Sequence, residues 1–341
     1  MSNGNLKSKL SIKILEDSNE ILKYLQLGIN IPIWPEFNKY IKSDLEYFKA
    51  KSIILQEDGN PIGNVLIFSD EESILYFGYF GVNNHNDNKI SFLIDRILDY
   101  AKDNNYKLIR GPINIPVIIF GWGFMKEGSF ESLFSTKPVN LPIYQHKFQE
   151  IGFYILHEDK TLARSQLIRF NPRKLKQYDF SDYEYFYPKD IDELFKYKSD
   201  LLRIHSENLP PTSRITPNIA GVIDNYFEYI FNFGYNFMIF FVKYKPENKI
   251  VACGTCLPNP FRKDAKGNYD SCIIYSSVVE SEHRRKGLGM LMYGETAHQM
   301  WKKKIKYICG PIPADNINTI AYAKRLGGMH SRTHLILEYT I

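Results

Sequence analysis

The chain has 341 residues, of which 44% are hydrophobic and 24% charged, with a formal net charge of +5 at pH 7. This length allows two domains with separate cores, and the composition excludes a disordered or fibrous protein. The weak positive charge suits an anionic ligand but gives no reason to expect nucleic-acid binding. No apolar run reaches the roughly 20 residues that span a bilayer, and the N-terminus lacks an apolar signal segment. We therefore expect a cytoplasmic protein without a membrane partner.

The first half of the chain alternates helix and strand signals. Asp58-Gly59-Asn60, between two alternating apolar runs, predicts a β-hairpin. The predicted strands are Lys9–Leu15, Lys51–Glu57, Pro61–Phe68, Ser73–Val82 and Lys107–Ile113, with further strands up to Phe170, and the predicted helices are Ser18–Gly28, Asn38–Phe48, Phe92–Lys102 and Tyr144–Glu150.

The segment Asn114–Leu141 is long, rich in aromatic residues and without a regular period. Loops of this length are commonly functional, so it either shapes a binding pocket or packs as an insertion at a domain interface. Further on, the polar, proline-bearing Asn171–Asp182 predicts a linker between a domain at residues 1–170 and a second at residues 183–341.

The second half repeats the element order of the first. The run Cys272–Val279 matches the earlier strand at Ser73–Val82, and Gly310-Pro-Ile matches Gly111-Pro-Ile, at a constant spacing of 199 residues. A fixed spacing through strand, loop, helix and strand indicates two copies of one fold. The second copy has predicted strands at Tyr183–Tyr187, Phe237–Tyr244, Lys249–Leu257 and Cys272–Val279, and predicted helices at Ile191–Glu207, Thr216–Phe233 and Met290–Lys302.

The stretch Ser271–Gly289 carries the strongest functional signal. It reads as a buried strand, then a basic turn with two glycines, and then the start of a helix. The free N–H groups of a helix start attract anions, glycine lets the backbone approach them closely, and adjacent cations add attraction. This order predicts a phosphate-binding site. The run required for a nucleotide P-loop and the third glycine of a dinucleotide fingerprint are both missing.

Arg284-x-x-Gly287-x-Gly289, placed between strand and helix, resembles the acyl-CoA-binding motif of the GCN5-related N-acetyltransferases, the GNAT superfamily. The resemblance implies an α/β (α+β) fold made of two tandem GNAT folds, each a mixed, mostly antiparallel sheet flanked by helices. It implies acetyl-CoA as the acyl donor, with its pyrophosphate held by the loop. The cofactor-binding residues so implied are Val278, Val279, Arg284, Arg285, Lys286, Gly287, Leu288, Gly289, Asn316 and Asn318.

The resemblance also suggests which residues take part in catalysis. Glu280, at the end of the strand, is the candidate general base, although its carboxylate could simply neutralise nearby cations. The family often has a tyrosine four residues before the closing glycine, to protonate the CoA thiolate. Here Ala323 stands four before Gly327, and Tyr322 is displaced by one residue, about 100° around the helix. Tyr322 is nevertheless the nearest candidate for the general acid.

The first copy lacks the motif. At the 199-residue spacing, His85 stands opposite Arg284 and Ile90 opposite Gly289. A β-branched residue cannot cheaply adopt the conformations open to glycine. We therefore predict one CoA site, in the second copy, and a structural or pocket-shaping role for the first.

The pair Cys253-x-x-Cys256 invites a redox or metal interpretation. Residues three apart on a strand point to opposite faces, and a second cysteine pair or paired histidines are missing. We predict buried reduced thiols and no metal.

The function predicted from the sequence is an acetyl-CoA-dependent N-acetyltransferase acting on a small-molecule or protein amine, with an unknown oligomeric state. An aminoacyl or long-chain acyl transferase is an alternative, because such enzymes also pair two GNAT-like folds. A non-catalytic acyl-CoA-binding module is another, because the tyrosine is displaced and the base is uncertain.

Overall fold

The computed structural model describes residues 9–29, 31–71, 73–130, 137–164, 172–208, 215–259 and 262–341. We refer to residues 9–164 as the N-terminal half and to residues 172–341 as the C-terminal half. The strands are β1 Leu10–Leu15, β2 Lys51–Glu57, β3 Asn60–Glu71, β4 Ile74–Val82, β5 Leu108–Gly111, β6 Phe124–Gly128, β7 Tyr154–Arg164, β8 Tyr183–Phe186, β9 Ile239–Tyr244, β10 Lys249–Pro258, β11 Ser271–Val279, β12 Tyr307–Pro313 and β13 Met329–Thr340. The helices are α1 Ser18–Tyr24, α2 Asn38–Tyr47, α3 Asp87–Asp103, α4 Val117–Phe120, α5 Ile143–Glu150, α6 Ile191–Lys196, α7 Lys198–Asn208, α8 Ile223–Phe233, α9 Leu288–Lys302 and α10 Ile317–Arg325.

The described strands form one continuous sheet in the order β1-β2-β3-β4-β5-β13-β7-β12-β11-β10-β9-β8, with β6 paired to β13 at its side. All neighbours run antiparallel except two pairs, β4 with β5 and β11 with β12, which are parallel. The predicted mixed, mostly antiparallel sheet flanked by helices is confirmed, and each half contributes one parallel pair at equivalent positions.

The two halves exchange strands at the centre of the sheet. Strand β13, the last of the C-terminal half, lies between β5 and β7 of the N-terminal half. In turn β7 lies between β13 and β12. Each half therefore relies on a strand of the other to cover the edge of its own parallel pair.

Aromatic side chains join the helices of the two halves. Phe37, just before α2, packs edge-on against Tyr229 of α8 with the ring centroids 5.8 Å apart. The hydroxyl of Tyr226 on α8 donates a hydrogen bond to buried Asp44 of α2 at 2.8 Å. Much of the high aromatic content thus forms the core between the halves.

The structure differs from the sequence prediction at several elements. The helix expected over Ile191–Glu207 is divided into α6 and α7. The helix expected over Thr216–Phe233 begins only at Ile223. The aromatic segment Asn114–Leu141 contains a short helix, α4, and a strand, β6, which pairs with β13, so part of this segment belongs to the sheet.

The domain bounds 1–170 and 183–341 stay a prediction, and residues 165–171, which include the first residue of the proposed linker, lie outside the described residues. In the part of the chain that the structure describes, no helix is long and apolar enough to cross a membrane.

Candidate active site

The basic turn, residues 284–289, leads from β11 into α9 and presents unpaired backbone donors. Gly287 is the N-cap of α9 with φ +85°, and no side chain caps this helix. Within the described ranges, the five consecutive N–H groups of residues 285–289 have no hydrogen-bond partner. Arg285 also has a positive φ, of 64°. Consecutive N–H groups in such a turn form a concave surface that binds anions.

Three exposed cations surround these donors. The side chain of Arg284 is held by the backbone, because its Nε donates to the carbonyl oxygen of Val279 at 3.0 Å. Arg285 and Lys286 are exposed. Within the described residues none of the three forms a salt bridge, so their charge is available to an anionic ligand.

The two glycines of the turn serve different purposes. At Gly287 a side chain would be strained by the positive φ, and its Cβ would come 2.5 Å from the ring of Tyr178. At Gly289 a Cβ would meet nothing within 4 Å. Gly287 thus shapes the turn, and Gly289 leaves open space in front of the first turn of α9.

Beside the turn, β11 and β12 diverge and open the C-terminal cleft. They pair only at Ser271 to Ile273, whereas β11 continues to Val279 with β10 on its other side. A bulge at Tyr275 interrupts the β10–β11 register, and bulges bend a strand. Alternate backbone groups of residues 274–279 consequently face the cleft without a strand partner.

A cavity of about 740 Å³ occupies this cleft. This volume lies within the range typical of small-molecule and cofactor sites. Three of the residues predicted from the sequence, Gly289, Asn316 and Tyr322, line it. Val278, Val279, Asn318 and the turn residues 284–288 do not. On β11 the wall is instead formed by Tyr275, Ser276 and Ser277.

Asn316 begins α10, as expected from the sequence. Its side-chain oxygen caps the helix by accepting from the N–H of Thr319 at 3.2 Å. The amide can still turn its nitrogen toward the cavity, because the cap uses only the oxygen.

Tyr322 reaches the cavity from α10. Its ring packs against Tyr293 of α9, and its hydroxyl lies 3.5 Å from the sulfur of Met290. Burial raises the pKa of Tyr322 to about 12. The phenol therefore stays protonated at neutral pH, as a proton donor must.

Glu280 lies outside the cavity wall, in an ion-paired setting. Its two carboxylate oxygens accept hydrogen bonds from Arg203 and from Lys249, the latter at 2.8 Å. Burial alone would raise the pKa of Glu280, but the hydrogen bonds and charges of these two cations outweigh it, and the pKa is lowered. A carboxylate so stabilised is a weak base. The role of Glu280 in catalysis stays a prediction, and its contacts favour the structural interpretation.

The far wall of the cavity comes from the N-terminal half. Asp159 of β7 is buried and accepts hydrogen bonds from Trp122 Nε1 at 2.6 Å, from His157 at 2.9 Å and from Lys137. Burial acts to raise the pKa of Asp159, but Lys137 and His157 hold it well below its usual range. The Lys137 ammonium also lies 4.4 Å from the Trp122 ring centroid. Strand exchange thus places N-terminal residues in the C-terminal cavity.

The equivalent turn of the N-terminal half is closed by its own side chains. The first turn of α3 is capped by Asn86, whose side chain accepts from the Lys89 N–H. The hydroxyl of Tyr144 accepts the N–H of Val82 at 3.1 Å and contacts His85 at 2.8 Å.

The equivalent cleft, between β4 and β5, is also occupied by the chain. The side-chain oxygen of buried Asn114 accepts the Tyr79 N–H at 2.7 Å, and the Ile113 N–H donates to the Phe77 carbonyl at 2.7 Å. A Cβ at Gly78 would come 1.9 Å from the Ile113 carbonyl oxygen. These contacts fill the N-terminal cleft, and the single CoA site in the C-terminal half stays a prediction.

Several cavity residues were missed by the sequence reasoning. His205, Ser276, His157 and Asp159 carry no local motif, and only the fold brings them together. Trp122 belongs to the aromatic segment for which a pocket-shaping role was one of two interpretations, and it does line the cavity.

Comparisons with known proteins agree with this geometry. Residues 200–328 match the model of the acetyltransferase (GNAT) family. A tandem GNAT protein from the clavulanic acid biosynthesis pathway, solved without AcCoA, has a TM-score of 0.61 at 12% identity, with 97% of this chain and 98% of that chain covered. No curated protein matches at the level of sequence.

Two further solved structures share the fold. A GCN5-related glucosamine N-acetyltransferase region of a fungal multi-domain GH3 β-N-acetylglucosaminidase has a TM-score of 0.65 at 13% identity, with 99% of this chain and 39% of that chain covered. A GCN5-related N-acetyltransferase from Sphaerobacter thermophilus has a TM-score of 0.54 at 8% identity, with 85% and 80% covered. Residues 200–328 thus match the GNAT acetyltransferase family model, and the chain as a whole shares the fold of the tandem GNAT protein from the clavulanic acid biosynthesis pathway.

Proposed function

We propose that this protein is an acyl-CoA-dependent N-acyltransferase that transfers an acetyl group to a primary amine by direct attack on the thioester. One observation carries the proposal: the N–H groups of residues 285–289, unpartnered among the described residues, belong to a turn whose last residue, Gly289, lines the cavity between β11 and β12. This arrangement suits a ligand with a pyrophosphate at one end and a long neutral arm.

CoA has this form. Its pyrophosphate would bind the basic turn, with Arg285 and Lys286 adding charge. The pantetheine arm would run into the cleft, where the unpaired backbone of residues 274–277 and the amide of Asn316 offer hydrogen bonds. The thioester would then lie near the bulge in β11, inside the sheet and shielded from water.

The chemistry needs little from side chains because a thioester is already activated. Backbone N–H groups of β11 that face the cleft can polarise the thioester carbonyl. Tyr322 is protonated at neutral pH and can return a proton to the CoA thiolate.

The acceptor amine would approach from the end of the cavity lined by Trp122, His157 and Asp159. The ion-paired Asp159 cluster offers polar groups beside an aromatic wall, which suits a small polar amine. Support for a small acceptor also comes from the structural neighbour described as a glucosamine N-acetyltransferase region.

Two measurements test the proposal. CoA and acetyl-CoA should raise the melting temperature of the protein, whereas aminoacyl-tRNA should not. Acetyl-CoA with a panel of amino sugars, amino acids and polyamines should release free CoA thiol in the presence of at least one amine. If CoA binds but no amine causes thiol release, the protein is an acyl-CoA-binding module and the enzymatic part of the proposal is wrong.

A further inference from the structure

A histidine–serine pair lines the same cavity as Gly289, Asn316 and Tyr322 but comes from other elements. His205 lies in α7, and Ser276 lies in the part of β11 that has separated from β12. The distance from His205 Nε2 to Ser276 Oγ is 2.9 Å. Helix α7 packs on β10 and β11, so the pair is supported by the sheet.

The contacts of the imidazole fix which nitrogen carries the proton. His205 Nδ1 lies 2.8 Å from the carbonyl oxygen of Leu201, one turn earlier in α7. A carbonyl can only accept, so Nδ1 carries the hydrogen in the neutral ring. Nε2 then presents its lone pair to the Ser276 hydroxyl, which donates to it.

The surroundings keep the ring neutral. Burial lowers the pKa of His205, and the bond to Leu201 opposes this shift only in part. The titratable group that contacts the ring from β10 is the Cys253 thiol, 3.6 Å from Nδ1. Burial raises the pKa of Cys253 to about 12, so this thiol is uncharged as well. From α7 and β11, no charged side chain among the described residues hydrogen-bonds or ion-pairs with the ring.

We propose that His205 is the general base of the acyl transfer and that Ser276 relays the proton to it. This inference rests on the proposed function and assigns a role that the sequence had given to Glu280. Unlike Glu280, the pair lines the cavity, and the Nε2 lone pair of His205 accepts from a hydroxyl on the cleft strand.

The proposed step moves one proton from the amine to His205 and one proton from Tyr322 to the CoA thiolate. The neutral amine attacks the thioester carbonyl carbon, and its nitrogen becomes positively charged. A proton passes from that nitrogen to Ser276 Oγ while the Ser276 proton passes to His205 Nε2. The C–S bond then breaks, and the departing CoA thiolate takes a proton from Tyr322. The imidazolium releases its proton through solvent, which restores Tyr322.

Three variants test the assignment, with the panel amine that gives the fastest wild-type release of CoA. For His205→Gln we expect the turnover rate to fall by about a hundredfold or more, the usual contribution of a general base, with unchanged CoA affinity by calorimetry. Ser276→Ala should also lower the turnover rate, while the hydrogen bond from His205 Nδ1 to the Leu201 carbonyl stays in place. Ser276→Thr retains the hydroxyl and should restore most of the rate.

The pH profile separates catalysis from a merely structural role. Wild-type kcat/KM should fall on the acid side as His205 takes up a proton, below the ordinary histidine value of 6.5 because burial lowers its pKa. This decrease of kcat/KM at acid pH, the acid limb of the profile, should disappear in His205→Gln. The matched control is His298→Gln, which removes an exposed histidine of α9 outside the cavity and should keep both the rate and the limb.

The outcomes are distinct. If His205→Gln and Ser276→Ala both turn over as fast as the wild type and keep the acid limb, this inference is wrong. The proposed function is not affected by that result. If His205→Gln does not fold, Ser276→Ala alone decides by the same criteria. If no amine supports turnover by the wild type, the proposed function fails and this inference fails with it.

Discussion

Replacement of Gly289 by glutamate is the sharpest test of where CoA binds. A Cβ at this position meets nothing within 4 Å, and the residue has no positive φ. It lies in the first turn of α9, where a carboxylate interacts favourably with the helix dipole, by about 0.3–1 kcal/mol. Replacing glycine within a helix adds up to about 1 kcal/mol more. The variant should therefore fold at least as well as the wild type.

The same carboxylate would stand where the pyrophosphate is expected. Two like charges about 4 Å apart repel by about 4 kcal/mol at an effective dielectric constant of about 20. Because each ~1.4 kcal/mol is a factor of ten, CoA affinity should fall by about a thousandfold. The isosteric Gly289→Gln variant adds the bulk without the charge and should lose much less affinity.

Calorimetric titration with CoA, together with thermal unfolding, measures both effects. Gly287→Glu is a poorer probe, because the positive φ and the Tyr178 ring would disturb the turn itself. Wild-type CoA affinity in Gly289→Glu, in a protein that melts normally, would refute the placement of the pyrophosphate at residues 285–289. Equal losses in the glutamate and glutamine variants would show that bulk, and not charge, is what matters there.

The contacts lead to four further predictions. Glu280→Gln should reduce stability at neutral pH but leave the turnover rate nearly unchanged. The pKa of Glu280 is lower in the folded than in the unfolded protein, so its contribution to folding stability is present above the unfolded pKa near 4.5. This contribution is lost as the pH falls through the folded pKa, and urea unfolding at several pH values would measure the loss. If this variant instead turned over about a hundredfold more slowly, Glu280 would be restored as the base. Tyr322→Phe should slow turnover without weakening CoA binding, and an unchanged rate would exclude it as the proton donor. Asn114→Ala should cost about 1–3 kcal/mol in urea unfolding, because the Tyr79 N–H is left buried and unpaired, with CoA affinity intact. Deletion of residues 329–341 should unfold the N-terminal half as well, because β13 lies between β5 and β7. Amide hydrogen exchange in β4 would detect this unfolding. Protection retained in β4 would show that the N-terminal half folds alone.

The local elements and the motif were predictable because they depend on neighbours in sequence. Alternating apolar residues and the Asp58-Gly59-Asn60 turn predicted the hairpin that β2 and β3 form. The constant spacing of 199 residues revealed the duplication. The basic turn was recognisable because the spacing of its glycines reflects a local conformation, and Gly287 does adopt a positive φ there.

The assignment of side-chain roles was less predictable, since it depends on partners far away in sequence. Glu280 stands at a plausible position for a base, but Arg203 and Lys249, from other elements, use both of its oxygens. His205 and Ser276 are separated by 71 residues and carry no motif, so only the packing of α7 on the sheet brings them into contact.

The amino-acid sequence by itself determined that the chain holds two related folds, that only the second has the basic turn with two glycines, and where that turn lies. These properties depend on short segments of sequence, in which the glycines and the spacing of apolar residues set the local backbone conformation. The tertiary structure alone decided that the halves exchange β7 and β13, that Asn114 fills the N-terminal cleft, and that Asp159 of the first half lines the cavity of the second. Pairings between distant strands depend on which edges are left uncovered when the sheet assembles, and no local pattern specifies that choice.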